Sequence, residues 1–260
     1  MIVDMFRSQY RGFVPSARIA LLLSLLFLLA TLACNKAVVF NQPKKSQRVT
    51  LREGDYLSTV YIDQLKKTLS PLAAGTEYGA HQFVVRKNGD LFELEPIFNF
   101  HEGGDPFTLS TDGSIVQPFP AYISHITVSV LNESSFRIGF DLSSQSFKPT
   151  DYVFVGDAAS YVVGIVLTGQ YKDRHGLHYE FREDGFAVFP SHKFHCEIGL
   201  DHVLTNFDYF MEMGPNHIAS SLTAFKREGK DLQLFKTKED ENGFDQIVDR
   251  RPYLQLTAQR

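Results

Sequence analysis

Through much of its length the chain alternates apolar and polar residues with a period of two. Gln82–Arg86, Leu91–Glu95, Ile126–Val130, Phe136–Leu142, Tyr152–Val155, Tyr179–Phe181, Leu222–Phe225, Leu232–Phe235 and Tyr253–Leu256 all show it. Successive side chains of a strand point to opposite faces, so each run reads as a strand with one buried face. Asn88-Gly89, Asp112-Gly113, Asp184-Gly185 and Glu228-Gly229 fall between apolar runs. Asn-Gly and Asp-Gly pairs tolerate the positive φ that tight hairpins need, so neighbouring strands should pair antiparallel. About a dozen short strands leave many unpaired edges unless the sheet closes or doubles over. The expected fold is therefore mainly β: an antiparallel barrel or a sandwich, with one or two short helices. The first helix is expected over Tyr56–Leu69, capped by Asp55 and stopped by Ser70-Pro71. A second is expected over Asp201–Met213, ahead of Gly214-Pro215. A membrane-spanning barrel is disfavoured, because Arg86, Arg137 and Arg182 recur opposite the apolar faces of strands too short to span.

The first residues follow a different grammar. Arg7, Arg11 and Arg18 precede an apolar run that extends from Ile19 to Ala33, 15 residues including Ser24 and Thr31. That is short of the roughly 20 apolar residues of a spanning helix, and it has the basic flank of an export signal. The run ends in Leu29-Ala-Thr-Leu-Ala-Cys34. This resembles the lipobox of bacterial lipoproteins, in which small residues flank a cysteine that is acylated before cleavage. The resemblance implies a signal peptide over 1–33, lipid attachment (palmitate among the chains) at Cys34 and a flexible tether over 34–49. Asn35 in place of Asp implies sorting to the outer membrane of a Gram-negative bacterium. The 14 residues from Asn35 to Arg48 would reach at most roughly 45–50 Å. Residues 50–260 then form the β-rich globular domain, with a polar seam near 143–150 that could divide it into two lobes.

Cleavage would leave 227 residues and move the formal charge from −4 to −6. An acidic chain without a basic stripe is a poor polyanion binder, which excludes nucleic acid as the main partner. With Cys34 acylated, Cys196 has no partner for a disulfide, and alternation puts it on one face with Phe194 and Ile198, as a buried thiol. Nine histidines occur, but none in a zinc-binding spacing, and no metal or other cofactor is expected. His195 and Glu197 share a strand face that His178 could join. The most site-like segment is Asn99–Asp105, where His101 and Glu102 run into Gly103 and Gly104. Imidazole beside a carboxylate can do acid–base work, yet adjacent strand residues face opposite ways, and a polar loop is the simpler reading. No nucleophile elbow, phosphate-binding loop or dinucleotide fingerprint is present. An enzyme is accordingly disfavoured and no catalytic residue is assigned.

The chain has 23 Phe and 11 Tyr but no Trp. In a barrel such rings either fill the interior or line a cavity for an apolar ligand. From Gly169-Gln-Tyr171, through Tyr179–Ala187 with its Asp184-Gly185 hairpin, to the end, the chain resembles the lipocalin-like barrels of bacterial envelope lipoproteins. Tyr171 stands where lipocalins carry Trp. The expectation is a membrane-anchored envelope protein that binds a protein partner or plays a structural role. The alternative is a carrier of a small apolar ligand, and the state of the barrel interior separates the two.

Overall fold

The computed structural model describes residues 49–75, 80–98, 100, 102–116, 123–142, 145–146, 148–202, 205–214, 218–241 and 245–259. They belong to one compact unit, Phe40–Arg260. The chain opens with β1 (Gly54–Ser58), α1 (Thr59–Thr68) and α2 (Pro71–Ala74). It continues through β2 (Ala80–Asn88), β3 (Leu91–Phe98), β4 (Glu102–Gly103), β5 (Phe107–Ser110), β6 (Ile123–Asn132), β7 (Ser135–Leu142), β8 (Gln145–Ser146) and β9 (Thr150–Gly156). After α3 (Ala158–Val166) come β10 (Gly169–Asp173), β11 (His178–Phe181), β12 (Phe186–Val188), β13 (Lys193–Ile198) and β14 (Asp208–Met213). The last strands are β15 (Ala219–Glu228), β16 (Asp231–Glu239), β17 (Asp245–Ile247) and β18 (Leu254–Ala258).

These strands form two sheets. The first runs β4-β3-β2-β1-β9-β7-β6, with β5 also on β3 and β8 on β7, and it curls without closing. In the second, β10 to β16 pair in sequence order, β16 pairs with β18, and β18 returns to β10. The result is a closed, antiparallel eight-stranded barrel, with β17 appended to β16. The mainly β, barrel-forming expectation is met, and the chain changes from one sheet to the other at α3.

Alternation explains both interiors. In the curled sheet Tyr56, Phe83, Val85, Leu94, Phe136, Ile138 and Tyr152 share one face and one core. Tyr56 stands opposite Phe83 in register, and Phe136 opposite Tyr152. Their rings lie 4.8–5.6 Å apart, centroid to centroid, across Phe83–Tyr152, Tyr56–Phe136, Phe136–Tyr152 and Phe83–Phe136. The other face carries cross-strand ion pairs, Arg86 with Glu95 at 2.6 Å and Arg137 with Asp151 at 2.5 Å. In the middle of that face the charges give way to Leu57, Val153 and Val155, which pack with α1 and α3. Tyr61, Leu65, Val162, Val163 and Val166 of these helices share a core with Phe181, Ile198, Phe210 and Phe225 of the barrel.

Side chains fix the helix ends. The Ser58 hydroxyl accepts from the Tyr61 N–H at 3.0 Å, so α1 starts at Thr59. Leu69 ends it in a left-handed conformation, φ 53°. The N-terminus of α3 is served by two carboxylates. Asp157 accepts from the Ser160 N–H at 2.7 Å, and Asp55 accepts from the Ala158 N–H at 2.8 Å. The C-terminal carbonyls of α3 meet the barrel. Arg227, projecting inward from β15, donates to the Val166 carbonyl and to Tyr171 Oη, and Tyr171 donates to the Leu167 carbonyl at 2.6 Å. A cation on the last helical carbonyls both satisfies them and complements the helix dipole.

Two helix expectations need correction. Residues 56–58 of the first belong to strand β1, and Asp55 caps the distant α3 instead of its own segment. Of the second, residues 208–213 form strand β14 in the barrel wall. Phe207, Phe210 and Met211 fit a helical stripe, but Phe210 faces inward while Phe207 packs in a separate outer cluster, as strand periodicity requires. Helix α3 was not expected, because Ala158–Val166 is short, almost wholly apolar and rich in Val.

Candidate functional site

Cys34 and His101, singled out from the sequence, lie outside the described residues. Glu102 pairs through its backbone with Phe98 as the edge strand β4. The neighbouring Phe100 is held at φ 58° and packs on Tyr61 and His81, with centroids 4.9 and 5.5 Å away. Three regions compete for a functional role: the barrel interior, the polar junction beneath it, and the open margin of the curled sheet.

Among the described residues, the interior is filled through the middle of the barrel. Tyr171, Phe181, Ala187, Cys196, Ile198, Phe210, Phe225, Leu232, Leu234 and Leu256 are each 0–3% exposed. A water-sized cavity would leave accessible surface on the side chains lining it, even when sealed from bulk solvent. Rings pack edge to face through the barrel, as in Tyr171–Phe181 at 5.9 Å and Phe181–Phe210 at 5.7 Å. Cys196 is a free thiol within this packing, and burial pushes its pKa up to about 12. A thiol so far from its thiolate is no nucleophile. At the barrel end away from the helices, His192 lies 3.5 Å from Glu212 and stacks on Phe194 at 5.1 Å. His195 and His178 both lie on the outer face, but β12 separates their strands, so they are not neighbours.

The junction beneath the barrel collects buried polar groups from distant parts of the chain. Asp208, at the start of β14, accepts from the Leu72 N–H of α2 at 2.8 Å. Burial, the largest influence, raises its pKa above the usual carboxyl range, and burial lowers that of the nearby His202. His81, on the N-terminal side, faces the Gly75 carbonyl at 3.1 Å through Nε2. The Tyr61 ring lies tilted against it, 5.6 Å between centroids. Both Tyr61 Oη and His202 Nε2 are buried without a protein hydrogen-bond partner among the described residues. The hydrogen bond from the Leu72 N–H to Asp208 ties α2 to β14. Among the described residues no three His, Cys, Asp or Glu side chains converge as metal ligands would.

The third region is an edge. The barrel wall has no free edge, since β18 closes on β10. One margin of the curled sheet is broken into the two-residue β4 and four-residue β5, and beyond β5 the chain folds back so that the Val116 N–H donates to the Thr108 carbonyl. The opposite margin is β6, ten residues long and paired only with β7 among the described residues. Its stretch from Ile126 to Asn132 has no charge and no proline. Short pieces, prolines, charges and bulges are the usual protection of an edge; between the register shifts at its two ends, β6 has none of them.

No family model, curated protein or solved structure matches the chain. The functional reading therefore rests on the geometry. The sequence marked Ile126–Val130 as a strand but gave no sign that it would be an outermost one. The junction residues His81, His202 and Asp208 went unnoticed because they lie 6 to 127 positions apart and in no motif.

Proposed function

We propose that this chain is a lipid-anchored protein of the bacterial envelope whose globular part binds a protein partner without catalysing a reaction. The observation that carries this reading is the pairing of a filled barrel with an open sheet margin. A carrier needs an interior that is empty until its ligand arrives, typically of a few hundred Å³, whereas Tyr171, Phe181 and Phe210 occupy that space. An unprotected edge strand offers backbone donors and acceptors for strand addition, a common mode of partner recognition. The anchor, through acylated Cys34, would confine that edge to the membrane surface. Kinship with lipocalin-like envelope lipoproteins is consistent with the eight-stranded barrel and with the place of Tyr171 in its first strand, β10.

Native mass spectrometry of the purified full chain tests the choice between partner-binding and carrying. The expected spectrum is that of protein and covalent lipid alone. A stoichiometric, noncovalent apolar ligand would establish the carrier instead.

A further inference from the structure

We infer that β6 pairs antiparallel with β6 of a second copy of this chain, about a twofold axis passing at Val128. The inference names the partner of the edge described above, and so rests on the partner-binding reading.

Three observations select a second copy. The first is regularity. From His125 to Val130 the pairing of β6 with β7 is continuous, and register shifts bound it between Ile123 and His125 and between Val130 and Asn132. The continuously paired length is therefore centred on Thr127 and Val128. The second is facial pattern. Ile126, Val128 and Val130 share the face that joins the core of the curled sheet, where Ile126 is buried while Val128 and Val130 are only half-buried at its margin. Thr127 and Ser129 lie on the other face. A twofold axis at Val128 sets Ile126 opposite Val130 of the second copy, Val128 opposite itself, and Thr127 opposite Ser129. Each apolar residue then meets an apolar one and each hydroxyl a hydroxyl, both favourable cross-strand pairs. Shifting the axis by one residue toward Ser129 would put Thr127 opposite Leu131 and lose this match. The third is charge. Two copies of a chain with net charge −4 repel each other wherever charged surfaces meet. Ile126–Asn132 is neutral, and the Arg137 that stands beside Ser129 in register is already paired with Asp151. Isologous contact of this kind closes at two copies, because each edge is consumed by the other.

Sedimentation equilibrium of the full chain, in density-matched detergent when acylated, tests the pairing with three variants. Thr127→Lys and Ser129→Glu each place like charges diagonally across the axis, and each should weaken self-association roughly two- to fivefold. The carboxylate introduced by Ser129→Glu would stand beside Arg137 in its own chain, so the fold tolerates it. Combining both substitutions in one chain sets the introduced ammonium of each copy opposite the introduced carboxylate of the other, and should restore the dimer. Circular dichroism checks that all three variants remain folded. A wild-type chain that stays monomeric at the highest concentration reached, a dimer indifferent to the single substitutions, or a double variant no better than either single one overturns the inference. A ligand-free monomer would remove only the second copy, whereas a monomer carrying an apolar ligand would remove the partner-binding reading as well.

Discussion

Replacing Tyr61 with Phe should stabilise the protein, although Tyr61 is 1% exposed and sits in the largest core. Its hydroxyl has no protein hydrogen-bond partner among the described residues, and burial pushes its pKa strongly up, with the Asp208 carboxylate adding to the shift. An unsatisfied buried hydroxyl costs about 1–3 kcal/mol of desolvation. Tyr61→Phe removes that cost and keeps the ring against Phe100 and His81, while the small void left by one oxygen returns part of the gain. The net expectation is about 1 kcal/mol of added stability, or roughly 2–4 °C in melting temperature for a domain of this size. Two buried tyrosines provide controls of opposite sign. Tyr152 donates to the Ala80 carbonyl at 2.7 Å, and Tyr171 donates to the Leu167 carbonyl while accepting from Arg227. Tyr152→Phe and Tyr171→Phe each leave a buried carbonyl without its donor, and should cost about 1–3 kcal/mol. Urea unfolding of the four proteins gives the comparison, provided that the m-values agree. If Tyr61→Phe destabilises as much as Tyr152→Phe does, the Tyr61 hydroxyl is satisfied and the junction carries no desolvation cost there.

Other expectations follow from the same packing. Cys196 should resist iodoacetamide at neutral pH in the native protein and react fully once unfolded, since it is 2% exposed with its pKa pushed up to about 12; rapid native labelling would contradict the packed interior. Arg227→Met keeps an apolar stem but removes the donor to Val166 and Tyr171, and should lower the unfolding free energy by about 1–3 kcal/mol. Asp208 holds its proton more tightly in the folded than in the unfolded chain, because burial raises its pKa from 3.8. Its contribution to stability is therefore full below the unfolded value and is lost as pH rises through the folded one. Asp208→Asn should flatten that part of the stability–pH curve, and an unchanged curve would remove Asp208 from the account. Cys34→Ser should abolish fatty-acid labelling and membrane retention of the full chain, and a variant that still labels would refute the lipoprotein reading.

Much of the wall of both sheets was legible from local pattern. The runs at Phe136–Leu142, Leu232–Phe235 and Tyr179–Phe181 alternate, and β7, β16 and β11 contain them. Asn88-Gly89 and Asp184-Gly185 mark turns in which both glycines adopt positive φ, 63° and 79°. Reading failed where two periods fit the same residues, as in Asp201–Met213, and where one side chain serves a remote element. Asp55 precedes an apolar stripe and looks like its cap, yet its acceptor is spent on Ala158, 103 residues away. Ala158–Val166 has a single polar side chain, Ser160, and so gives only a weak period. Its buried face, Ala158, Val162, Val163 and Val166, packs between β1, β9 and the barrel while Ser160 and Gly164 stay exposed.

By itself the sequence determined that this is a β protein, which face of most strands is buried, where several hairpins turn, and that Cys196 would be an inert thiol. Each of these is a local consequence of side-chain alternation or of the φ a residue tolerates. Tertiary structure alone decided which strands became neighbours. Every antiparallel strand offers the same backbone groups on both sides, so nothing within Ile126–Val130 distinguishes an inner strand from an outer one. Ring closure through β18 and β10 removed the edges of one sheet, and curling without closure left β6 at the margin of the other. The filled barrel and the open edge, on which the functional reading rests, are properties of that assembly.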